Sequence, residues 1–228
     1  MTDVFVFDAY GTLLDVGSPV RRLAGVIGPK SDALAALWRT KQLEYTWVRS
    51  LAGVYRDFEQ VTRDALIYSL QFLNIADNGF SDQLMEAYAA PDCYPEVKDA
   101  LGALKLRGAK TAILSNGTPG MLKTATEAAG IGDLLDATLS VDQLGVYKTS
   151  PTAYRLATDF FDCIAAEVSF QSSNRWDIAG AAAFGFHTVW INRTNMPDEY
   201  SDLKPGRIVA DLAELVLPLT ANNESARR

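Results

Sequence analysis

Two apolar stretches of strand character, VFVF at 4–7 and KTAILS at 110–115, are separated by far more chain than a simple crossover needs. The interval is written in helical period. From Phe58 the apolar or small positions Val61, Ala65, Leu66, Leu70 and Leu73 recur at spacings of three and four. ALAALWRTKQLEYTWVRSL (33–51) reads the same way, and SDQLMEAYA adds a shorter helix. One strand, a long helical insertion and then a return to strands leave few architectures open. Residues 15–90 are expected to form an inserted helical cap, with 1–14 and 91–228 making one core domain.

Beyond PDCYPEV, strand and helix alternate, which is the signature of a parallel sheet covered on both faces. The expected fold class is therefore α/β, a Rossmann-like parallel sheet core with an inserted helical cap. TAILS runs into Thr118 and Pro119, a capping residue followed by proline at the first turn, and that helix should end near Gly130. DATLSV is a short strand. Ser150 and Pro151 open SPTAYRLATDFF in the same N-terminal arrangement, EVSFQSS and NRWDIAGAAAFG give strand then helix, and HTVWIN and RIVA supply the last strands. TANNESARR reads as a frayed tail.

A chain of 228 residues that is 48% apolar can bury a sizeable core. No run approaches the roughly 20 apolar residues of a membrane span, and the N-terminus lacks the basic start and apolar core of a secretory signal, so a cytoplasmic protein is expected. A formal net charge of −7 argues against nucleic acid or an anionic membrane as partner. Cys93 and Cys163 are far apart and His187 is the single histidine, which argues against a disulfide framework and a zinc site. Both cysteines are expected in the core, and His187, opening a strand, is read as structural.

The first strand ends in one carboxylate, Asp8 of VFVFDAYGTLL. An acid closing an apolar strand is costly to bury and is rarely there for stability. In an open parallel sheet, ligands bind beyond the carboxyl ends of the strands, where loops and helix N-termini converge. The residues at those ends here are Asp8 to Thr12, Ser115 with Asn116, and Ser172 to Asp177, while Lys148 lies just ahead of the helix near Ser150. Each could be a cap or a turn residue; together they constitute a candidate site.

This combination resembles the haloacid dehalogenase superfamily: DAYGTL for its first motif, SNG for the second, YKTSP for the third and SSNRWD for the fourth. Within it the chain is most similar to the L-2-haloacid dehalogenases, which share the chain length and the tyrosine of DAY. Two departures from the superfamily's phosphatases matter. Tyr10 stands where they carry the second aspartate of DxD, and Ser173 where they carry an acid that helps hold magnesium. A phenol with a pKa near its usual value of about 10 is a poor proton donor at neutral pH and no magnesium ligand. A halide needs no proton to leave, only stabilisation of its developing charge.

The resemblance implies a reaction: ionised Asp8 displaces halide from an L-2-haloacid in line, and water hydrolyses the aspartyl ester to a D-2-hydroxy acid. It implies that Arg39 and Asn116 receive the halide, and that Ser115, the helix N-terminus after it and Lys148 meet the substrate carboxylate. Thr12 and nearby backbone N–H groups would hold Asp8, and Lys148 would keep it ionised. Asp177 would orient or deprotonate water, with Ser172, Asn174 and Tyr154 completing the polar net; which group is the base stays open. Tyr10, Leu43, Phe58 and Trp176 would wall the alkyl side. No metal and no cofactor are implied; the partners are a haloacid, a halide and a second copy of the chain in a homodimer.

Taken singly, these residues have plainer readings. Arg39 would be a solvated helix face, Leu43, Phe58 and Trp176 core, Tyr154 a packed helix residue, and Ser172 and Asn174 helix caps. A metal-dependent phosphatase is opposed by Tyr10 and Ser173, and a silent scaffold by the retained polar set. A hydrolase opening a strained carboxylic acid would use much the same groups.

Overall fold

The computed structural model of the chain describes residues 4–216. Six parallel strands form one sheet in the order β5-β4-β1-β6-β7-β8. They are β1 (Val4–Phe7), β4 (Lys110–Ser115), β5 (Ala137–Ser140), β6 (Val168–Ser172), β7 (His187–Ile191) and β8 (Arg207–Val209). The central strands are continuous apolar runs because both faces are covered, so Val6 and Phe7 of β1 and Ala112 to Leu114 of β4 have no exposed surface. β1 lies in the middle, pairing Val4–Phe7 with Lys110–Ile113 on one side and Val168–Gln171 on the other. The chain builds outward from β1 through β4 and β5, then crosses back to β6 and continues through β7 and β8. The order therefore reverses beside β1, and a crevice forms at the carboxyl ends of β1, β4 and β6.

Between β2 (Leu14–Asp15) and β3 (Asp92–Cys93), a short antiparallel pair, the chain is helical: α1 (Ser18–Arg22), α2 (Ala24–Ile27), α3 (Ser31–Ala52), α4 (Phe58–Phe72) and α5 (Phe80–Ala89). The two chain passages at its base are thus hydrogen-bonded to each other. Asp57 caps α4 by accepting from the Gln60 N–H at 2.9 Å, and the Trp38 indole on α3 donates to the Thr62 carbonyl on α4 at 2.8 Å. This helical segment is tied to the sheet layer by Tyr55, which donates to Asp142 at 2.5 Å, and by Tyr147, which donates to the Arg56 carbonyl at 2.5 Å.

The sheet is flanked by α6 (Val97–Leu106), α7 (Pro119–Ala129), α8 (Pro151–Phe161), α9 (Arg175–Phe184) and α10 (Ala213–Val216). The expected start of α7 is realised: Thr118 accepts from the Met121 N–H at 3.2 Å, a cap contributing about 1 kcal/mol, and Gly130 ends the helix in the left-handed conformation. The start of α8 differs from expectation. Ser150 occupies the cap position, but its hydroxyl pairs with that of Thr152 at 2.8 Å instead of a backbone N–H. Cys93 and Cys163 are half-buried at the edge of the core rather than inside it, and both are free thiols. His187 opens β7 on the surface. Among the described residues no helix is long and apolar enough to cross a membrane. The expected frayed tail at 220–228 lies outside the described residues.

Candidate active site

Asp8 follows β1 directly, and its backbone N–H continues the ladder to the Gln171 carbonyl at 2.9 Å. The chain then turns back on itself. The N–H groups of Thr12, Leu13 and Leu14 all converge on the Ala9 carbonyl, and Gly11 takes a φ of 98°, which disfavours any residue with a Cβ. The turn aims the Thr12 hydroxyl at the acid: its Oγ1 donates to Asp8 Oδ2 at 3.1 Å while accepting the Ser173 N–H at 2.8 Å. Arg193, just beyond β7, anchors this turn by donating to the Thr12 carbonyl at 2.9 Å, and its guanidinium lies 3.9 Å from the Tyr94 ring centre.

The loop after β6 supplies the next donor. Asn174 sits at the cap position of α9, yet its side chain makes no capping bond. Its Nδ2 donates instead to Asp8 Oδ2 at 2.7 Å and to the Tyr10 carbonyl at 3.2 Å, while its own N–H goes to Ser172 Oγ at 3.1 Å. Ser172 therefore holds the loop backbone and has no bond to the acid. The ammonium of Lys148 donates to Asp8 Oδ1 at 3.1 Å and to Asp177 Oδ2 at 2.8 Å. Tyr154 donates to the other Asp177 oxygen at 2.8 Å, and Gly180, one turn along α9, leaves no room for a side chain beside that hydroxyl.

Burial sets the electrostatics. Lys148 is 1% exposed and Asp177 has no exposed surface. Burial pushes the Asp177 carboxyl up, Lys148 pulls it back and Asp8 pushes it further, leaving it at about 6. For Lys148, burial alone would lower the pKa, but Asp177 and Asp8 outweigh it and hold the ammonium above its usual value. Burial, then the neighbouring Tyr88 and Asp8, push the Tyr10 phenol far above its ordinary range. It stays neutral.

The second motif lies across the crevice. Asn116 Oδ1 accepts the Lys148 N–H at 3.0 Å, so its Nδ2 is the free end of the amide. Ser115 Oγ accepts the Gly117 N–H at 3.1 Å, which leaves its proton to donate. A Cβ at Gly117 would lie 2.9 Å from the Tyr10 ring, so glycine is what lets that ring pack against this loop. Tyr10 stacks on Tyr88 with centroids 5.4 Å apart and packs against Phe58 at 5.9 Å.

Arg39 reaches in from α3. Its Nη2 donates to the Tyr10 carbonyl at 3.1 Å and to Asn174 Oδ1 at 3.2 Å, and its Nη1 donates to Gln42 at 2.8 Å. It is thus one amide removed from Asp8 and not a surface residue. Leu43, one turn on, is half-buried and makes none of these bonds. Trp176 packs edge-on against Trp47 of α3 at 5.6 Å and, with Lys148, lines a groove of about 970 Å³. Among the described residues no three His, Cys, Asp or Glu side chains are grouped to hold a metal ion. Ser173 Oγ is buried without a partner.

The structure joins Asp8, Thr12, Arg39, Lys148, Tyr154, Asn174 and Asp177 in one hydrogen-bonded cluster, with Ser115, Asn116 and Ser172 along its edges. Sequence reasoning missed Gln42 and Arg193. The first stands on the buried stripe of α3, in step with Leu34, Trp38 and Thr46, where an apolar residue is the norm. The second is the first charge after β7, on the same rim as the other site residues.

The carboxylate of Asp8, at the end of the central strand of a doubly wound sheet and held by a buried lysine, lies where open α/β sheets form their ligand crevice. The chain belongs to the haloacid dehalogenase-like hydrolases, whose family model matches residues 2–185. It is 46% identical over 211 residues to (S)-2-haloacid dehalogenase 1 of Pseudomonas sp. (strain CBS-3), covering 92% of this chain and 93% of that protein. It is equally 46% identical over 219 residues to (S)-2-haloacid dehalogenase 4A of Burkholderia cepacia, covering 96% and 94%. Its fold is similar to the L-2-haloacid dehalogenase of Xanthobacter autotrophicus solved with chloropropionic acid covalently bound, with a TM-score of 0.86 and 35% identity over 95% of this chain and 97% of that one.

Proposed function

We propose that the protein hydrolyses short-chain L-2-haloacids to D-2-hydroxy acids, with inversion, through an ester on Asp8 and without a metal ion. The reading is carried by one observation: the Asp8 carboxylate is fixed by Lys148, Thr12 and Asn174, and the same Asn174 accepts from the guanidinium that would receive the halide. The (S)-2-haloacid specificity of the relatives and the covalent chloropropionic acid in the Xanthobacter enzyme support it.

In the first step an Asp8 oxygen attacks the carbon bearing halogen, the C–O bond forms as the carbon–halogen bond breaks, and the halide leaves with the electron pair. Arg39 and the free Nδ2 of Asn116 stabilise the departing charge, and Ser115 with the loop leading into α7 receives the substrate carboxylate. Tyr10, Phe58, Leu43 and Trp176 supply apolar surface for the alkyl group. In the second step water adds to the ester carbonyl of Asp8. Asp177, ionised above pH 6 and steadied by Tyr154 and Lys148, takes its proton. The adduct collapses by breaking the bond from the Asp8 carboxyl carbon to the alkoxy oxygen; the alkoxide takes the proton that remains on the added water oxygen and leaves as the D-2-hydroxy acid, Asp8 is regenerated as a carboxylate, and Asp177 gives its proton to solvent.

In the proposed enzyme residues 15–90 act as a cap over the core, with the β2–β3 pair at its base. The exposed apolar side chains Trp47, Leu51, Tyr68 and Phe72 on α3 and α4 support pairing of two copies through the cap. The test is turnover of L-2-chloropropionate in EDTA, followed by ion chromatography of chloride and chiral chromatography of lactate. Chloride with D-lactate is expected. No chloride, or L-lactate as product, contradicts the proposal.

A further inference from the structure

We propose that Gln42 is a positioning residue for halide departure, fixing the Arg39 guanidinium through an amide whose orientation is dictated by Thr62; this rests on the haloacid reading above. Gln42 is 1% exposed on the buried stripe of α3. An amide in that place must find partners for its donors and its acceptor, whereas an apolar residue would fill the space at no such cost. Its partners are all particular. Oε1 accepts from Arg39 Nη1 at 2.8 Å, and Nε2 donates to Thr62 Oγ1 at 2.6 Å and to the Tyr88 hydroxyl at 3.0 Å.

The amide can face only one way. The Thr62 hydroxyl spends its proton on the Phe58 carbonyl at 2.6 Å, so only its lone pairs face Gln42. The NH₂ end must therefore turn to Thr62, and the carbonyl end is delivered to Arg39. Phe58 and Tyr88 both pack on Tyr10, so the lock is built into the wall of the pocket itself.

The guanidinium is consequently held from both sides. Nη1 is fixed to α3 through Gln42, and Nη2 to the Tyr10 carbonyl and Asn174 at the rim of the sheet. Three of the five guanidinium N–H groups are thus engaged, which leaves Nε–H and the second Nη1 proton, on different edges of the guanidinium plane, as the donors not already committed. Without Gln42 the guanidinium as a whole can swing about its remaining contacts to the Tyr10 carbonyl and Asn174, and a donor that must sit in line with a breaking bond loses its aim.

The test uses single-turnover halide release by the full chain, measured for L-2-chloropropionate and L-2-bromopropionate in the wild type and in Gln42→Met, Thr62→Val and Thr62→Ser. Chloride leans more on a hydrogen-bond donor than bromide does, so a misaimed Arg39 penalises the chloro compound more. Gln42→Met should slow chloride release by about 10-fold to 100-fold and bromide release by less, widening the bromo-to-chloro rate ratio with little change in half-saturating concentration. Thr62→Val should widen the ratio in the same direction, and Thr62→Ser should restore it. A folded Gln42→Met with the wild-type ratio overturns the proposal, whatever its absolute rate. If Gln42→Met does not fold, an unaltered ratio in Thr62→Val overturns it instead. A wild type inert to both compounds would count against the haloacid reading, a result distinct from an active wild type whose variants keep its ratio.

Discussion

Replacing Lys148 with methionine removes the cation shared by two buried carboxylates and keeps most of its volume. The Lys148 and Asp177 side chains have no exposed surface and that of Asp8 has 7%, with separations of 2.8 and 3.1 Å, so solvent cannot compensate. Breaking a buried ion pair from one side costs about 3–5 kcal/mol. For a chain of this size each kcal/mol moves Tm by about 2–4 °C, so the variant should melt about 6–20 °C below wild type at pH 7. The loss should also depend on pH. Lys148 opposes the upward push of burial on Asp177, so without it the Asp177 carboxyl rises above about 6 and binds a proton in the folded state that the unfolded chain has already lost. A group with a raised folded pKa favours the fold below its unfolded pKa, and that contribution declines as pH rises to the folded value. The gap in Tm between variant and wild type should accordingly narrow on acidification from pH 8 to pH 6, as followed by circular dichroism. A Tm gap that is absent, or that widens toward pH 6, is incompatible with Lys148 holding down the Asp177 pKa.

Arg39→Lys keeps the charge but loses the fork that spans Gln42, the Tyr10 carbonyl and Asn174; kcat on L-2-chloropropionate should fall by about 10²-fold to 10³-fold, measured by chloride release. In the wild type, kcat should decline as pH falls through about 6, because Asp177, the base proposed above, then takes up a proton. The Tyr154 hydrogen bond lowers the Asp177 pKa, so Tyr154→Phe should move this acid limb to higher pH, read from a pH profile of kcat.

The sheet was legible because each strand is a short apolar run and each following helix announces its start. KTAILS is β4 to the residue, and Thr118 with Pro119 marks α7. The helical insertion declared itself through period, in α3, α4 and α5. What escaped was structure without such marks. The helix α6, Val97–Leu106, has no side-chain cap at Glu96 to signal its start, and the two-residue strands β2 and β3 are defined by pairing with each other across the whole insertion. In the site, charged and amide residues at strand ends could be collected from topology alone, whereas the placement of Arg39 came from family resemblance. Its physical basis, an amide relay through Asn174 to Asp8, joins residues 135 apart in the chain and leaves no local trace. Gln42 carried a signal, a polar residue in step with buried Leu34 and Trp38, and its meaning depends on a hydroxyl from another helix.

The proposed reaction requires Asp8 itself to become covalently attached to the substrate carbon. A single turnover of L-2-chloropropionate in H₂¹⁸O, with enzyme in excess and the peptide bearing Asp8 weighed by mass spectrometry, tests it most directly. Solvent oxygen in the Asp8 carboxylate and unlabelled D-lactate are expected. Labelled lactate with an unlabelled Asp8 would mean that water attacks the substrate directly and would contradict the proposed reaction.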